Sequence, residues 1–228
     1  MLERVLEQEI MDSEQDAHEY ATFDNTIVND EFVAHALRLA PASGVVLDVG
    51  TGPGDIAILL ATRAPGLRVV AIDLGEHMLR LARANVTRAG LADRIDVERV
   101  NAKGTGRPTS SFDMVIANSL VHHMPEPIEL FQELARIARP GAGLFIKDLH
   151  RPESESELRN LVETYAAGCT PYQIQSFADS LHAGLTVSEI SEICTRVGWG
   201  DVTVRRCSDR HWCVERSAST ELVSLAAS

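Results

Sequence analysis

The run from Val45 to Ile58, VVLDVGTGPGDIAI, constrains the fold of this chain more than any other stretch. It opens on a short apolar, β-branched segment bounded by turn residues, the pattern of a strand buried on both faces of a parallel sheet. Gly50, Gly52 and Gly54 follow at alternate positions, and Ile56, Ala57, Ile58, Leu59 and Leu60 then begin a buried helix. A strand, a glycine turn and a helix in this order let a ligand lie against bare backbone at a helix N-terminus. A sheet with helices packed on it is therefore expected, with its site at the carboxyl ends of the strands.

A second signal supports the first. Leu67 to Ile72, LRVVAI, reads as another strand and ends on Asp73. An acidic residue at the tip of the second strand, roughly 20 residues beyond the glycines, reads ribose hydroxyls in nucleotide-binding βαβ units. The glycine spacing is D-x-G-x-G-x-G, counted from Asp48, and not the dinucleotide pattern G-x-G-x-x-G. It resembles motif I of the class I S-adenosylmethionine (SAM)-dependent methyltransferases. The resemblance implies that Asp48, Gly50, Thr51, Gly52 and Gly54 surround the amino-acid end of SAM. It further implies that Asp73 holds the ribose hydroxyls while Leu74 and Met78 border the adenine.

Composition limits the partners. The chain has 228 residues, 45% of them hydrophobic and 24% charged, which suits one globular domain with a sizeable core. A formal net charge of −12 repels phosphate backbones, so nucleic acid is not expected as a substrate. No run approaches the ~18 apolar residues of a membrane span. The acidic N-terminus lacks an apolar signal core, which predicts a cytoplasmic protein with no membrane partner. Cys169, Cys194, Cys207 and Cys213 show no C-x-x-C spacing and read as reduced thiols. The oligomeric state is not set by any of these features.

The remaining elements follow in order. Residues 1–24 are polar, with Leu2, Val5, Leu6 and Ile10 at loosely helical spacing, and 27–40 is a better amphipathic helix closed by Pro41 and Gly44. The resemblance implies that residues 1–40 form a helical lid over the cofactor, with Tyr20 either facing the substrate or only packing the helix pair. Helices are expected over 75–89 and 126–138, and strands over 94–100, 112–117 and 144–149, the last preceded by a turn at Arg139-Pro140-Gly141-Ala142-Gly143. The third strand runs into Asn101 and Ala102, which by resemblance meet the adenine edge; an Asn carbonyl there can accept a hydrogen bond but brings no charge. After the fourth strand come Asn118, Ser119 and the pair His122-His123, similar to motif IV of small-molecule methyltransferases. Asn118 and Ser119 would line the floor near the methyl group. The histidines are either a general base or loop-ordering groups. Residues 152–167 and 172–183 read as a helical insertion. Thr186 and Glu189 fit a capping box for a helix ending at Gly198, a two-strand hairpin spans 201–215, and the small, polar residues 217–228 suit a disordered tail.

These readings give an α/β fold: a doubly wound, mostly parallel seven-stranded sheet with an antiparallel last strand, carried by residues 41–216 with an insertion at about 152–183. In the family that last strand lies beside the fifth, which brings DLHRP (148–152) next to SDRHW (208–212). The cluster is open to three readings: a substrate pocket in which His150, Arg151 and Arg210 bind an anionic group, a divalent-metal site of Asp and His, or a structural salt-bridge tie. We assign no metal ligand and name His122, His123, Asp148 and His211 as catalytic candidates. The implied reaction is in-line methyl transfer from SAM to an O, N, S or C nucleophile of a small molecule. A protein or RNA methyltransferase and a non-catalytic SAM-binding domain are the alternatives.

Overall fold

The structure is a computed structural model that describes residues 2–7 and 25–219. Its centre is a seven-stranded sheet, β1 (Gly44–Val49), β2 (Leu67–Asp73), β3 (Ile95–Arg99), β4 (Phe112–Asn118), β5 (Ala138–Leu149), β6 (Thr203–Arg206) and β7 (His211–Arg216), in the order β3-β2-β1-β4-β5-β7-β6. β1 to β5 pair in parallel, and β7 runs antiparallel between β5 and β6. The fold class read from the sequence is the one observed.

Successive side chains of each strand point to opposite faces, and the cores divide accordingly. Val46, Val69, Ala71, Met114, Ile116 and Phe145 face helices α1 (Thr26–Leu39), α2 (Asp55–Arg63) and α3 (Glu76–Arg88). Leu47, Val49, Ile72, Val115, Ile146 and Trp212 face α4 (Pro127–Ile137) and α7 (Val187–Arg196). The insertion forms α5 (Glu155–Tyr165) and α6 (Pro171–Ala183), which close a third, smaller core around Leu149, Leu158, Leu161 and Leu181. Both α6 and α7 start at a capping box, Thr170 with Gln173 and Thr186 with Glu189.

Four expectations need adjustment. Helix α1, expected within the lid, buries Phe32, Val33 and Ala36 in the core, and His35 stacks on Phe145 with ring centroids 4.4 Å apart. It is a layer of the domain. Residues 2–7 are not helical but form a strap, in which Val5 donates its N–H to His182 O at 3.3 Å. Arg139 to Ala142 do not stop the chain before β5: they form an irregularity inside it, since Phe112 pairs with Ala138 but Met114 with Gly143. Arg139 there pairs with Asp113, whose other carboxylate oxygen accepts from Val45 N at 2.8 Å. Ala218 and Ser219 donate to Leu39 O and Gly141 O at 2.8 and 2.9 Å, so the start of the tail is tied to the domain. Tyr20 lies outside the described residues.

Candidate cofactor and acceptor site

The glycine turn joins β1 to α2 with Gly50, Gly52 and Gly54 all at positive φ (68°, 54° and 85°). At Gly50 the requirement is doubled, because a Cβ would stand 2.8 Å from Leu120 Cδ1. At Gly52 a Cβ would meet nothing within 4 Å, so this backbone faces open space on which a ligand can lie. Two aspartates frame the turn. Asp48 is 2% exposed and accepts from Thr51 Oγ1 at 2.6 Å. Burial pushes its carboxyl up from 3.8 to about 7, and the nearby Asp73 adds to the shift. Such a group is short of a positive partner. Asp73 accepts from Gly52 N and Gly75 N, each at 2.9 Å, and so ties the glycine turn to the start of α3.

Leu74 is half-buried and Met78 buried beside Asp73. Ala102 is 9% exposed, whereas Asn101 is exposed and turns its side-chain oxygen onto Lys103 N at 2.9 Å. At the end of β4, Asn118 is half-buried and Ser119 stands at φ 51°. Left-handed backbone in a non-glycine residue is a local strain held by its surroundings, here by the bond from Ser119 N to Lys147 O at 3.0 Å.

The loop after β4 is organised by Asp148. Its carboxylate is fully buried and accepts from Leu120 N (2.7 Å), Val121 N (2.5 Å) and Leu149 N (2.7 Å), and it meets His122 Nδ1 at 2.5 Å. Burial opposes its charge, but the His122 charge and these hydrogen bonds outweigh it and hold Asp148 below its ordinary value. Burial likewise opposes the imidazolium of His122, yet Asp148 and Glu7 raise it. Glu7 comes from the strap. Its Oε1 lies 3.3 Å from His122 Nε2 and 3.1 Å from His123 Nδ1. Arg4 fastens the same strap, donating to Ala183 O (2.7 Å), His122 O (3.2 Å) and Met124 O (2.8 Å). No local signal marks Arg4 or Glu7 in the sequence, because their partners lie more than 100 positions away.

The DLHRP and SDRHW segments do meet: Asp148 pairs with Trp212, Leu149 with His211, and His150 N donates to Arg210 O at 2.9 Å. Their side chains then part. Asp148 and His211 stand on opposite faces of the sheet. Arg151, 5% exposed, donates to Gly184 O (3.0 Å) and Glu189 Oε1 (2.8 Å), which joins β5 to the capping box of α7. Arg210 stacks on Tyr165 at 3.4 Å, and Tyr165 donates its hydroxyl to Asp209 at 2.5 Å. His211 meets Ser208 Oγ at 2.9 Å, and burial, with Lys147 and Arg210 nearby, holds it down at about 3, so it is neutral. Burial also lowers His150, whose Nδ1 is buried without a partner. Arg151 and Arg210 thus meet Glu189, Tyr165 and backbone, contacts of the kind a structural tie makes. Both terminal nitrogens of Arg151 are taken by protein partners, while its Nε is buried without one.

Comparison with known proteins places this geometry among related ones. Residues 46–141 match the family described as "Methyltransferase domain". A ubiquinone biosynthesis O-methyltransferase of Xanthomonas euvesicatoria pv. vesicatoria (strain 85-10) is 29% identical over 171 residues, 71% of this chain and 70% of that protein. The 27-O-demethylrifamycin SV methyltransferase of Amycolatopsis mediterranei (strain S699) is 35% identical over 103 residues, 45% of this chain and 38% of that protein. Among solved structures, a SAM-dependent methyltransferase from Aquifex aeolicus has a TM-score of 0.60 at 22% identity, covering 92% of this chain and 95% of its own. Phosphoethanolamine N-methyltransferase 2 of Haemonchus contortus, in complex with SAM, has a TM-score of 0.65 at 24% identity, covering 84% of this chain and 42% of its own. The structural likenesses speak for the fold.

Proposed function

The chain belongs to the class I SAM-dependent methyltransferases, and on that premise we propose that it methylates a hydroxyl oxygen of a small molecule. The observation that carries the small-molecule reading is the strap. Residues 2–7 cross the loop after β4 and leave, against α6, a cavity of about 470 Å³ lined by Val5, Leu6, Glu7, Asp179 and His182. That volume is within the ~300–1,000 Å³ of small-molecule sites, and its mixed apolar and polar lining suits an apolar body with a polar handle. The names of the sequence relatives above support oxygen as the acceptor atom.

The residues present fit SAM. The open backbone at Gly52 admits its amino-acid tail, and buried Asp48 lacks the positive partner that an ammonium supplies. Bound SAM contributes a methyl group already activated on a sulfonium, so the protein has chiefly to position and align. Asp48, Gly50, Thr51, Gly52 and Gly54 hold the amino-acid end in this reading, and Asp73 keeps lone pairs free for ribose hydroxyls beyond its two backbone bonds. Leu74, Met78, Asn101 and Ala102 border the adenine. Asn118 and Ser119, fixed by Lys147 O, form the floor at the methyl. Asp148 and His122 are positioning residues, since both ring nitrogens of His122 face carboxylates. The strap of residues 2–7 takes the lid role in this reading. Four free cysteines suit a reducing cytoplasm.

The test is release of S-adenosylhomocysteine from SAM against a panel of small phenols, alcohols, amines, thiols and carboxylates, with peptide and RNA pools alongside. Turnover confined to hydroxyl compounds is the expected result. Turnover only with an amine or thiol would overturn the acceptor atom, and turnover only with a peptide or RNA pool would overturn the small-molecule reading.

A further inference from the structure

We propose that Glu7, His122 and His123 bind one divalent transition-metal cation of the zinc class, with Asp148 as the carboxylate that orients His122. The three candidate ligand atoms, Glu7 Oε1, His122 Nε2 and His123 Nδ1, all lie within 4.8 Å of one another. The Oε1 separations of 3.3 and 3.1 Å are close to the edge of a tetrahedron with metal–ligand bonds of about 2.0–2.1 Å, roughly 3.3 Å. Glu7 Oε1 and His123 Nδ1 are both buried and have no hydrogen-bond partner: they approach each other at an angle that makes no such bond. Two orphaned lone-pair atoms converging on a third are what a cation would satisfy.

The surroundings are built in the same sense. Asp148 at His122 Nδ1 makes that nitrogen the protonated one and leaves Nε2 as a donor of its lone pair toward Glu7. This is the carboxylate–histidine–metal arrangement, and three backbone N–H groups fix the carboxylate in turn. Ser180 Oγ holds Glu7 Oε2 at 3.2 Å, which turns Oε1 to the imidazoles. Arg4 is spent on three carbonyls. Glu7 and Asp148 bring two negative charges toward a doubly charged ion. Three protein ligands of the His₂Glu type leave at least one position open. The cation would tie the strap to the loop beside the cavity that Glu7 also lines, and zinc binding is read without any acceptor, so its failure is distinguishable from failure of the hydroxyl reading.

The rival arrangement is a proton, with the imidazoles and Glu7 as an ion pair. To separate the two, the full chain is stripped with a chelator and titrated with zinc alone, by calorimetry and by metal analysis after gel filtration. Cobalt is then added in its place for the visible spectrum. The expected result is one ion per chain, with a cobalt spectrum of a four- or five-coordinate nitrogen and oxygen site. Glu7→Gln and His123→Ala should each lower zinc affinity at least tenfold, and Asp148→Asn about ten- to 100-fold. Cys169→Ser, outside the ligand set, should leave it unchanged. Glu7 lies on a peripheral strap, so Glu7→Gln keeps the test valid if changes at Asp148 prevent folding. Absence of stoichiometric zinc, or zinc that binds equally well to Glu7→Gln and His123→Ala, would overturn the site.

Discussion

In the function proposed above, the cofactor edge and the acceptor edge of the sheet are each ordered by a carboxylate at a strand end, but they are assembled differently. At the first, Asp73 accepts from Gly52 and Gly75, 21 and 2 positions away. At the second, Asp148 gathers Leu120, Val121 and His122, 26 to 28 positions away, and Glu7 reaches His122 across 115 residues of chain. The first edge is made within one βαβ unit, from contacts at short sequence separation. The second exists only once β4, β5, α6 and the strap have come together. In the proposed function the local edge would meet the methyl donor, common to a whole family, and the composite edge the acceptor, which varies.

The largest test of this contrast falls on the composite edge. Asp148→Ala leaves three backbone N–H groups and a buried imidazole without their partner, and should lower stability by about 3–5 kcal/mol, read by urea denaturation. A loss under 1 kcal/mol would mean that the loop is not held from Asp148, and the comparison would break. Next, Gly50→Ala forces a left-handed alanine whose Cβ would meet Leu120. Strain of about 1–2 kcal/mol plus overpacking of about 1–3 kcal/mol should appear as reduced stability and weaker SAM binding together.

A smaller effect sharpens the local edge alone. Asp73→Ala should weaken SAM binding by about 1.5–3 kcal/mol, roughly ten- to 150-fold, in a titration that leaves metal binding unchanged. Unchanged SAM affinity would remove Asp73 from the cofactor site. The smallest is a pH slope. Asp48 rises from 3.8 to about 7 in the folded protein, and a bound ammonium favours its ionised form. SAM affinity should then climb from about pH 5.5 to about 7, by up to tenfold per unit, and Asp48→Asn should flatten that climb. For folding the sign is reversed. The unliganded native state keeps a proton that the unfolded chain releases above 3.8, so this contribution to stability is full at low pH and is lost as pH rises toward 7.

Legibility in the sequence follows the same division. The short apolar runs Val45 to Val49 and Leu67 to Ile72 placed β1 and β2, and the capping pair Thr186 and Glu189 placed the start of α7. The 138–149 strand was read short because Pro140 and two glycines look like a stop, whereas an irregular pairing with β4 carries them inside the sheet. Arg151 and Arg210 were read toward a substrate because their backbones do converge. The side chains instead found Glu189 and Tyr165, a choice made by which face of the sheet each occupies and what α5 and α7 bring to it.

By itself, then, the sequence determined the doubly wound sheet, the glycine turn and the aspartates beside it. These depend on periodicity and backbone sterics acting between near neighbours. Only the tertiary structure decided that Glu7 joins His122 and His123, that Asp148 is a loop anchor, and that the arginines are internal ties. Those contacts join residues far apart in the chain, and no local preference of Glu7 or Arg4 distinguishes the partner it will meet once the layers have packed.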